Sequence, residues 1–472
     1  VIGAFVAPLV VQIQTDPDLW GHVRFGHDLL SNRALPRIDS YSFTQDVPWV
    51  NHEWLSELFM AAAYQSAGAI GLALLKGTLV LLIFFIVLSA YDGASALLTG
   101  TVLILLAAGT GRVTLTLRPQ LWSLLAMALE CRWLFGGPRR WWLIAFPALF
   151  MLWVNAHGGW IIGAAILATW LVWNFLSGHS ARALLAGVAV LSMLSTLVNP
   201  YGWHMWQFLG ATVRMTRPIA EWQPLFTTPW FAWIPWFGVG LVVVACVFAT
   251  KRPPVVFLVI ACVLALASFR VERLSPFYVV ATLIFLSRTL MARWPSSFRR
   301  FDPIARPMAR LLSGVLLGVC LVSAVITARA ASCIAIGRDS WVPDRVAGRA
   351  LADSSISGRM VTWFDWGEYA IWHLSPGIRV SLDGRRETVY SDAVLKNHDE
   401  MNAGTPQGLA YLQSLDPDYV WMPASLTRVR DWLSTHGYRI DIDTPRSFVA
   451  VRASLPVVTT SDAPLPPCFP GP

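Results

Sequence analysis

Long apolar runs, broken only by short polar interruptions, constrain this chain more than any other feature. Hydrophobic residues make up 55% of it and charged residues 14%, whereas soluble domains carry roughly a quarter charged residues. A backbone placed in hydrocarbon must satisfy its own hydrogen bonds, so such runs fold as helices. The runs at 1–13, 68–90, 94–109, 119–136, 141–155, 158–176, 182–198, 230–249, 254–270, 274–291 and 311–331 predict about eleven spans. The first is shorter than the roughly 20 residues a span needs and reads as a truncated N-terminus. The 24 tryptophans suit interfacial belts. A net charge of +8 could point to nucleic acid. The basic residues, however, sit in short loops between apolar runs, where positive-inside bias accounts for them, and nucleic acid is excluded as a partner.

Loop charges set the orientation. Arg132, Arg139, Arg140, Arg182, Lys251, Arg252 and the cluster from Arg288 to Arg310 fall on alternate loops and read as cytoplasmic. Asp16 and Asp18, the stretches 112–120, 155–159, 199–229 and 270–276, and everything after 332 then share the outer face. From 333 onward charged residues return, and short β-rich runs alternate with helical ones. Arg359–Phe364, Ile378–Leu382, Tyr419–Met422 and Ser447–Val451 read as strands. Ala424–His436 and Gln407–Ser414 read as helices. The expected fold class is a mainly α-helical polytopic membrane protein with an extracytoplasmic α/β domain. Its predicted parts are a membrane domain over 1–332 with an acidic outer loop at 14–67, an α/β domain over 333–454, and a Pro-rich disordered tail over 455–472. Four cysteines lie in or beside the spans as packing residues. Cys333 and Cys468 both fall on the outer face, where an oxidising compartment would let them pair.

Thr15-Asp16-Pro17-Asp18 directly follows the first apolar run. Carboxylates at a bilayer edge are costly unless they have a task, and a carboxylate beside a hydroxyl or amide acts as a general base. Asp16 and Asp18 are therefore the catalytic candidates. Leu19 to Leu30 predicts an amphipathic helix in the headgroup plane, with His22 on its polar side. Asn51 is a candidate N-cap for a second helix that opens with His52 and Glu53. His22, His52 and Glu53 could bind substrate or a divalent metal. Arg112, Arg118, Arg270 and Arg273 could hold a lipid phosphate by bidentate contacts. Lys76 could reach the same phosphate or snorkel. His157, in Asn155-Ala-His-Gly-Gly, and Glu221, beside Trp222, interrupt apolar stretches and join the substrate-binding set. Asp365 and Arg385, in loops after two predicted strands, complete it. Each has a plainer reading as a turn, cap or surface pair. No phosphate-cradling glycine loop is present.

Asp16-Pro-Asp-Leu-Trp-Gly-His-Val-Arg-Phe-Gly, Leu35-Pro-Arg-Ile-Asp-Ser-Tyr-Ser-Phe-Thr and Trp49-Val-Asn-His-Glu-Trp-Leu resemble the start of bacterial GT-C glycosyltransferase-like proteins. Asn155-Ala-His-Gly-Gly, Asn199-Pro-Tyr-Gly, Glu221-Trp, Phe364-Asp-Trp-Gly-Glu-Tyr and Leu382-Asp-Gly-Arg-Arg look like later landmarks of one subgroup. The acidic loop is similar to that of oligosaccharyltransferase catalytic subunits and protein O-mannosyltransferases. The resemblance implies a polyprenyl-phosphate sugar donor and a catalytic acid at Asp16 or Asp18. It also implies an acceptor that is a glycan, lipid or protein at the outer face of the cytoplasmic membrane. The Trp-Trp-Asp-Tyr-Gly motif of oligosaccharyltransferases is absent, and Asp365–Tyr369 only echoes it. Two other function classes fit the same composition. A lipid or sugar transporter would place ionisable groups near the midplane, whereas the span centres read as nearly free of them. A non-catalytic assembly protein could share the fold.

Overall fold

The structure is a computed structural model that describes residues 12–178, 180–212, 220–293, 331–337, 339, 341–460 and 464–471, with isolated positions between 314 and 329. Among these it has sixteen helices and one five-stranded sheet. The first expected span and most of the last lie outside the described residues. By internal contacts the chain divides into two units, residues 1–13 with 70–332 and residues 14–69 with 333–472. The outer-loop stretch, assigned above to the membrane domain, thus clusters with the C-terminal region.

Every predicted span within the described residues is a helix. Helix α1 is Asp18–Asn32 and α2 is Trp54–Leu88, the latter broken at Ala67 and Gly68. The φ of +57° at Gly68 is one that a side chain disfavours. The helical unit continues with α3 Ala96–Thr114, α4 Gln120–Gly136, α5 Trp142–Ala156, α6 Trp160–Leu176, α7 Arg182–Ser195 and α8 His204–Thr212. It closes with α9 Trp233–Val247, α10 Val255–Arg270 and α11 Ser275–Arg293. Local signals set several starts. The Ser95 hydroxyl accepts from the Leu98 N–H to cap α3, and Pro119 and Pro254 precede α4 and α10. Helix α11 is the hub of this unit: almost all of Ser275–Leu290 is buried, and α3, α4, α9 and α10 pack on it. Gly109 lets α3 approach it, since a Cβ there would lie 2.6 Å from Val279. Two helical runs, Trp54–Tyr91 and Glu272–Arg293, are long and apolar enough to cross a membrane, and six further apolar helices are shorter. One correction concerns the span centres: Glu130 on α4 is fully buried.

In the other unit, α12 is Arg345–Asp353, β1 Gly358–Thr362, α13 Gly367–Leu374, β2 Ile378–Val380, α14 Asp392–Asn402, α15 Pro406–Leu415, β3 Tyr419–Pro423, α16 Thr427–Thr435, β4 Tyr438–Asp443 and β5 Ser447–Arg452. The sheet order is β2-β1-β3-β5-β4. β1 is parallel to β2 and β3, whereas β5 is antiparallel to β3 and β4. Val361, Val420, Met422, Phe448 and Ala450 bury one face against Met401, Leu412, Val429 and Leu433. The open edge of β2 is covered from the outer-loop stretch. Val380 N–H donates to Tyr41 O at 2.8 Å, and Phe43 N–H donates to Val380 O at 3.1 Å. This hides an edge that would otherwise recruit a foreign strand.

The apolar stripe of α1 is covered by protein rather than left for a headgroup layer. Leu19, Trp20, Val23 and Phe25 are all buried, and α13 packs on the helix. Two glycines permit close packing: a Cβ on Gly26 would lie 2.0 Å from Glu57 O, and one on Gly21 would lie 2.1 Å from Glu368 Oε2. The tail, expected to be disordered, is ordered where it is described. Cys468 is joined to Cys333 by a disulfide. Phe469 sits among Trp20, Tyr64 and Trp372. Pro470 O accepts from Trp20 Nε1 at 2.7 Å.

Candidate active site

The acidic turn places its two aspartates differently. Asp16 is 5% exposed, and its Oδ1 accepts the Asp18 N–H at 3.0 Å. It therefore shapes the start of α1. Asp18, in the first turn of α1, is half-buried. One turn on, His22 Nδ1 lies 3.2 Å from Glu57 Oε1. Burial works against a charged imidazole, but the Glu57 hydrogen bond and the charges of Glu53, Glu57 and Asp18 outweigh it and raise the His22 pKa to about 9. Asn51 does double duty: Oδ1 accepts from Glu53 N–H at 3.1 Å just before α2, and Nδ2 donates to Glu57 Oε2 at 2.6 Å.

His22, Glu53 and Glu57 each offer a ligand atom, all within 4.8 Å of one another. That donor set, one imidazole and two carboxylates, suits a divalent cation bound at about 2.0–2.6 Å. His52 pairs with Glu53 at 3.5 Å rather than joining the set.

The loops after β1 and β2 close the site from the sheet side. Asp365 is half-buried in a short turn before α13. Glu368, the next acid, is 3% exposed, and its Oε2 accepts from Gly21 N–H at 3.1 Å. Burial, then the charges of Asp18 and Asp383, hold its carboxyl well above the usual glutamate range, with Arg385 acting in the opposite sense. Arg385, expected to face substrate, is committed inside the fold. Its Nη1 and Nη2 meet Asp39 at 2.6 and 3.0 Å, and its Nε and Nη2 meet Asp383 at 2.8 and 2.7 Å. Its guanidinium also lies over the rings of Phe25, Tyr41 and Trp49. Glu57 escaped the sequence reading, whereas Asp39, Glu368 and Asp383 lie in stretches it quoted without being named as site residues. The signal for Glu368 was present in the same Asp-Trp-Gly-Glu-Tyr run.

In the helical unit, the predicted phosphate holders are partly gathered. Glu221 lies 3.3 Å from both Arg118 and Arg273, and Arg273 stacks over Trp222 at 5.8 Å. An anion binding these arginines would compete with Glu221. Arg270 is exposed at the end of α10. Arg112 falls on α3, with its side chain outside the described atoms. Lys76 is fully buried and donates to the Gln12 carbonyl, so it does not snorkel. His157 Nδ1 accepts from Gly159 N–H at 2.9 Å and lies 2.7 Å from Ser123 Oγ. That geometry holds the turn between α5 and α6.

The fold is similar to those of a solved oligosaccharyltransferase, of ArnT and of an arabinofuranosyltransferase. At the level of sequence, no family description and no curated protein matches the chain. Among solved structures, the oligosaccharyltransferase AglB of Archaeoglobus fulgidus, in complex with an inhibitory peptide and a dolichol-phosphate, matches with a TM-score of 0.59 at 12% identity, over 97% of this chain and 74% of that one. ArnT of Cupriavidus metallidurans bound to undecaprenyl phosphate matches with a TM-score of 0.53 at 13% identity, over 98% and 97%. The mycobacterial arabinofuranosyltransferase AftD gives 0.52 at 13% identity, over 98% of this chain but 40% of its own length.

Proposed function

We propose that the chain is an integral-membrane glycosyltransferase that moves a sugar from a polyprenyl-phosphate donor to an acceptor on the outer face of the cytoplasmic membrane. The observation that carries this reading is Asp18. It is a half-buried carboxylate at the start of α1, set among buried acids and His22, in a fold shared with transferases along nearly its whole length. Asp18 takes the proton from the acceptor's nucleophilic oxygen or nitrogen. That atom attacks the anomeric carbon, the bond from this carbon to the phosphate oxygen breaks, and the electron pair leaves with the polyprenyl phosphate. The anomeric configuration inverts. Asp16 is assigned to shaping the turn. A divalent cation at His22, Glu53 and Glu57 would supply positive charge for a developing phosphate anion. The acceptor is a glycan, lipid or protein.

The test is sugar transfer by the purified protein in lipid, with a panel of radiolabelled polyprenyl-phosphate sugars. Asp18→Asn is expected to lower turnover by about 10²–10⁴-fold with folding intact. Full turnover in that variant would refute the assignment of the base. Glu130 is the observation that favours transport instead, since a buried carboxylic acid within a span marks a pathway in many carriers. Substrate movement across sealed vesicles that is lost in Glu130→Gln, without any transfer, would favour that reading.

A further inference from the structure

Two grooves of the helical unit meet on one helix. Toward α7, the residues Ala168, Val172 and Leu176 of α6 line a groove of about 350 Å³ with Ala189 and Met193. Toward α10, the same three residues line a second groove of about 400 Å³ with Val256 and Val259. Both volumes fall in the range of roughly 300–1,000 Å³ that ligand pockets occupy. The shared residues recur at every fourth position, so they form one ridge along α6, and all three are exposed.

The walls decide the chemistry of an occupant. The groove against α7 presents only Ala, Leu, Val, Phe and Met side chains. The groove against α10 adds Trp173 and Thr169, whose hydroxyl is committed to Ala165 O at 2.7 Å. A soluble ligand is oriented by a few converging polar groups, whereas these walls suit hydrocarbon chains.

Positive charge gathers at one end of the pair. Both grooves reach Leu176, the last residue of α6. Arg182 opens α7, and its Nη2 donates at 3.4 Å to the carbonyl of Phe175, a wall residue of the first groove. Lys251 and Arg252 are exposed just before α10, whose first turn supplies Val256 to the second groove. The sequence has no Asp or Glu from Cys131 to Ala220 or from Trp222 to Val271. The three cations therefore have no counter-ion in their own stretches, and they lie in loops whose charge marks the cytoplasmic face.

We propose that the paired grooves bind one anionic phospholipid of the cytoplasmic leaflet. Its two acyl chains lie in the two grooves, astride the α6 ridge, and its phosphate is held among Arg182, Lys251 and Arg252. Basic pockets between membrane helices recognise lipid headgroups by this combination of charge and apolar wall. The inference rests on the membrane reading and is independent of sugar transfer.

The test uses the full chain, purified and stripped of lipid in a neutral detergent. Native mass spectrometry and thermal unfolding are followed with dioleoylphosphatidylglycerol, dioleoylphosphatidylcholine or inorganic phosphate. One phosphatidylglycerol is expected to stay bound and to raise the melting temperature, and the other two probes are not. The triple variant Arg182→Gln, Lys251→Gln, Arg252→Gln should lose about 10²-fold in affinity for phosphatidylglycerol. Ala168→Phe, on the exposed ridge, should narrow both grooves and weaken binding with all three cations intact.

Equal retention of the two lipids, an equal shift with inorganic phosphate, or undiminished affinity in the triple variant overturns the proposal. So does undiminished affinity in Ala168→Phe, because the chains then lie elsewhere. If one variant fails to fold, the other variant and the comparison of probes on wild type still decide. Recovery of the expressed chain in the soluble fraction without detergent sinks the membrane reading itself. A chain that stays with the membrane but does not prefer the anionic lipid sinks this site alone.

Discussion

Replacing Arg385 with leucine will destabilise the unit formed by 14–69 and 333–472 by about 3–5 kcal/mol. The loss arises less from the bonds removed than from what they leave behind. Asp39 is 2% exposed and Asp383 is fully buried. Each accepts two bonds from the Arg385 guanidinium, and Tyr390 adds one to Asp383 at 2.7 Å. Burial pushes the Asp383 carboxyl up, but the charge and hydrogen bonds of Arg385 bring it below the usual aspartate range. Without the guanidinium, two buried carboxylates face one another inside an aromatic wall of Phe25, Tyr41 and Trp49. Lysine will not substitute, because a single ammonium cannot bridge both carboxylates in a planar fork. The sign with pH follows from Asp383. Its folded pKa is depressed, so the stability it contributes is present above the ordinary aspartate value and is lost as pH falls through the folded one. Chemical denaturation of wild type, Arg385→Leu and Asp39→Asn measures these effects. A loss under about 1 kcal/mol in Arg385→Leu would mean that the fold opens to solvate the acids, as exposed pairs do.

The second large effect is expected from Cys468→Ser. The disulfide to Cys333 closes a loop across a sequence separation of 135 residues. Loss of so long a cross-link typically costs about 2–5 kcal/mol. Local consequences should exceed the global ones. The tail anchors Phe469 in its aromatic nest, and Phe469 N–H donates to Ile334 O at 2.8 Å. Pro470 O accepts from Trp20 and lies 2.9 Å from His373 Nε2. Release of the tail removes acceptors from α1 and α13 together, the two helices that carry Asp18 and Glu368. Hydrogen exchange along α1 should therefore speed up on reduction more than exchange in β3 or β5. Equal protection before and after reduction would contradict this.

The helices were legible because apolar runs have only one outcome when their backbone must bond itself. The strands β1, β2, β3 and β5 were legible because they are short, β-branched and bounded by turns. β4 was missed: Arg439, Asp441 and Asp443 occupy alternate positions, and their charges masked the Tyr438-Ile440-Ile442 stripe that marks an edge strand. Helix α13 was missed because Asp365-Trp-Gly-Glu-Tyr reads as a loop until its apolar face meets α1. The turn at Asp16 and Asp18 stood out because acids next to apolar runs are rare. Glu57 did not, and Asp39, Glu368 and Asp383 were not singled out within their motifs, since each is an ordinary acid until tertiary pairing buries it. Arg385 was misjudged for the same reason. Nothing local to Asp-Gly-Arg-Arg reveals that Asp39 waits at the far end of the chain.

From the standpoint of the sheet-bearing unit, residues 70–332 are one long insertion between two halves that must find each other. That arrangement binds the history of the two halves together. Asp39 and Arg385 stand 346 positions apart, yet neither can be exchanged without stranding a buried charge. In a lineage that alters one, the other has to change soon after or has already changed. Recombination within the intervening segment would separate partners from their match, so compatible halves should be inherited as a single block.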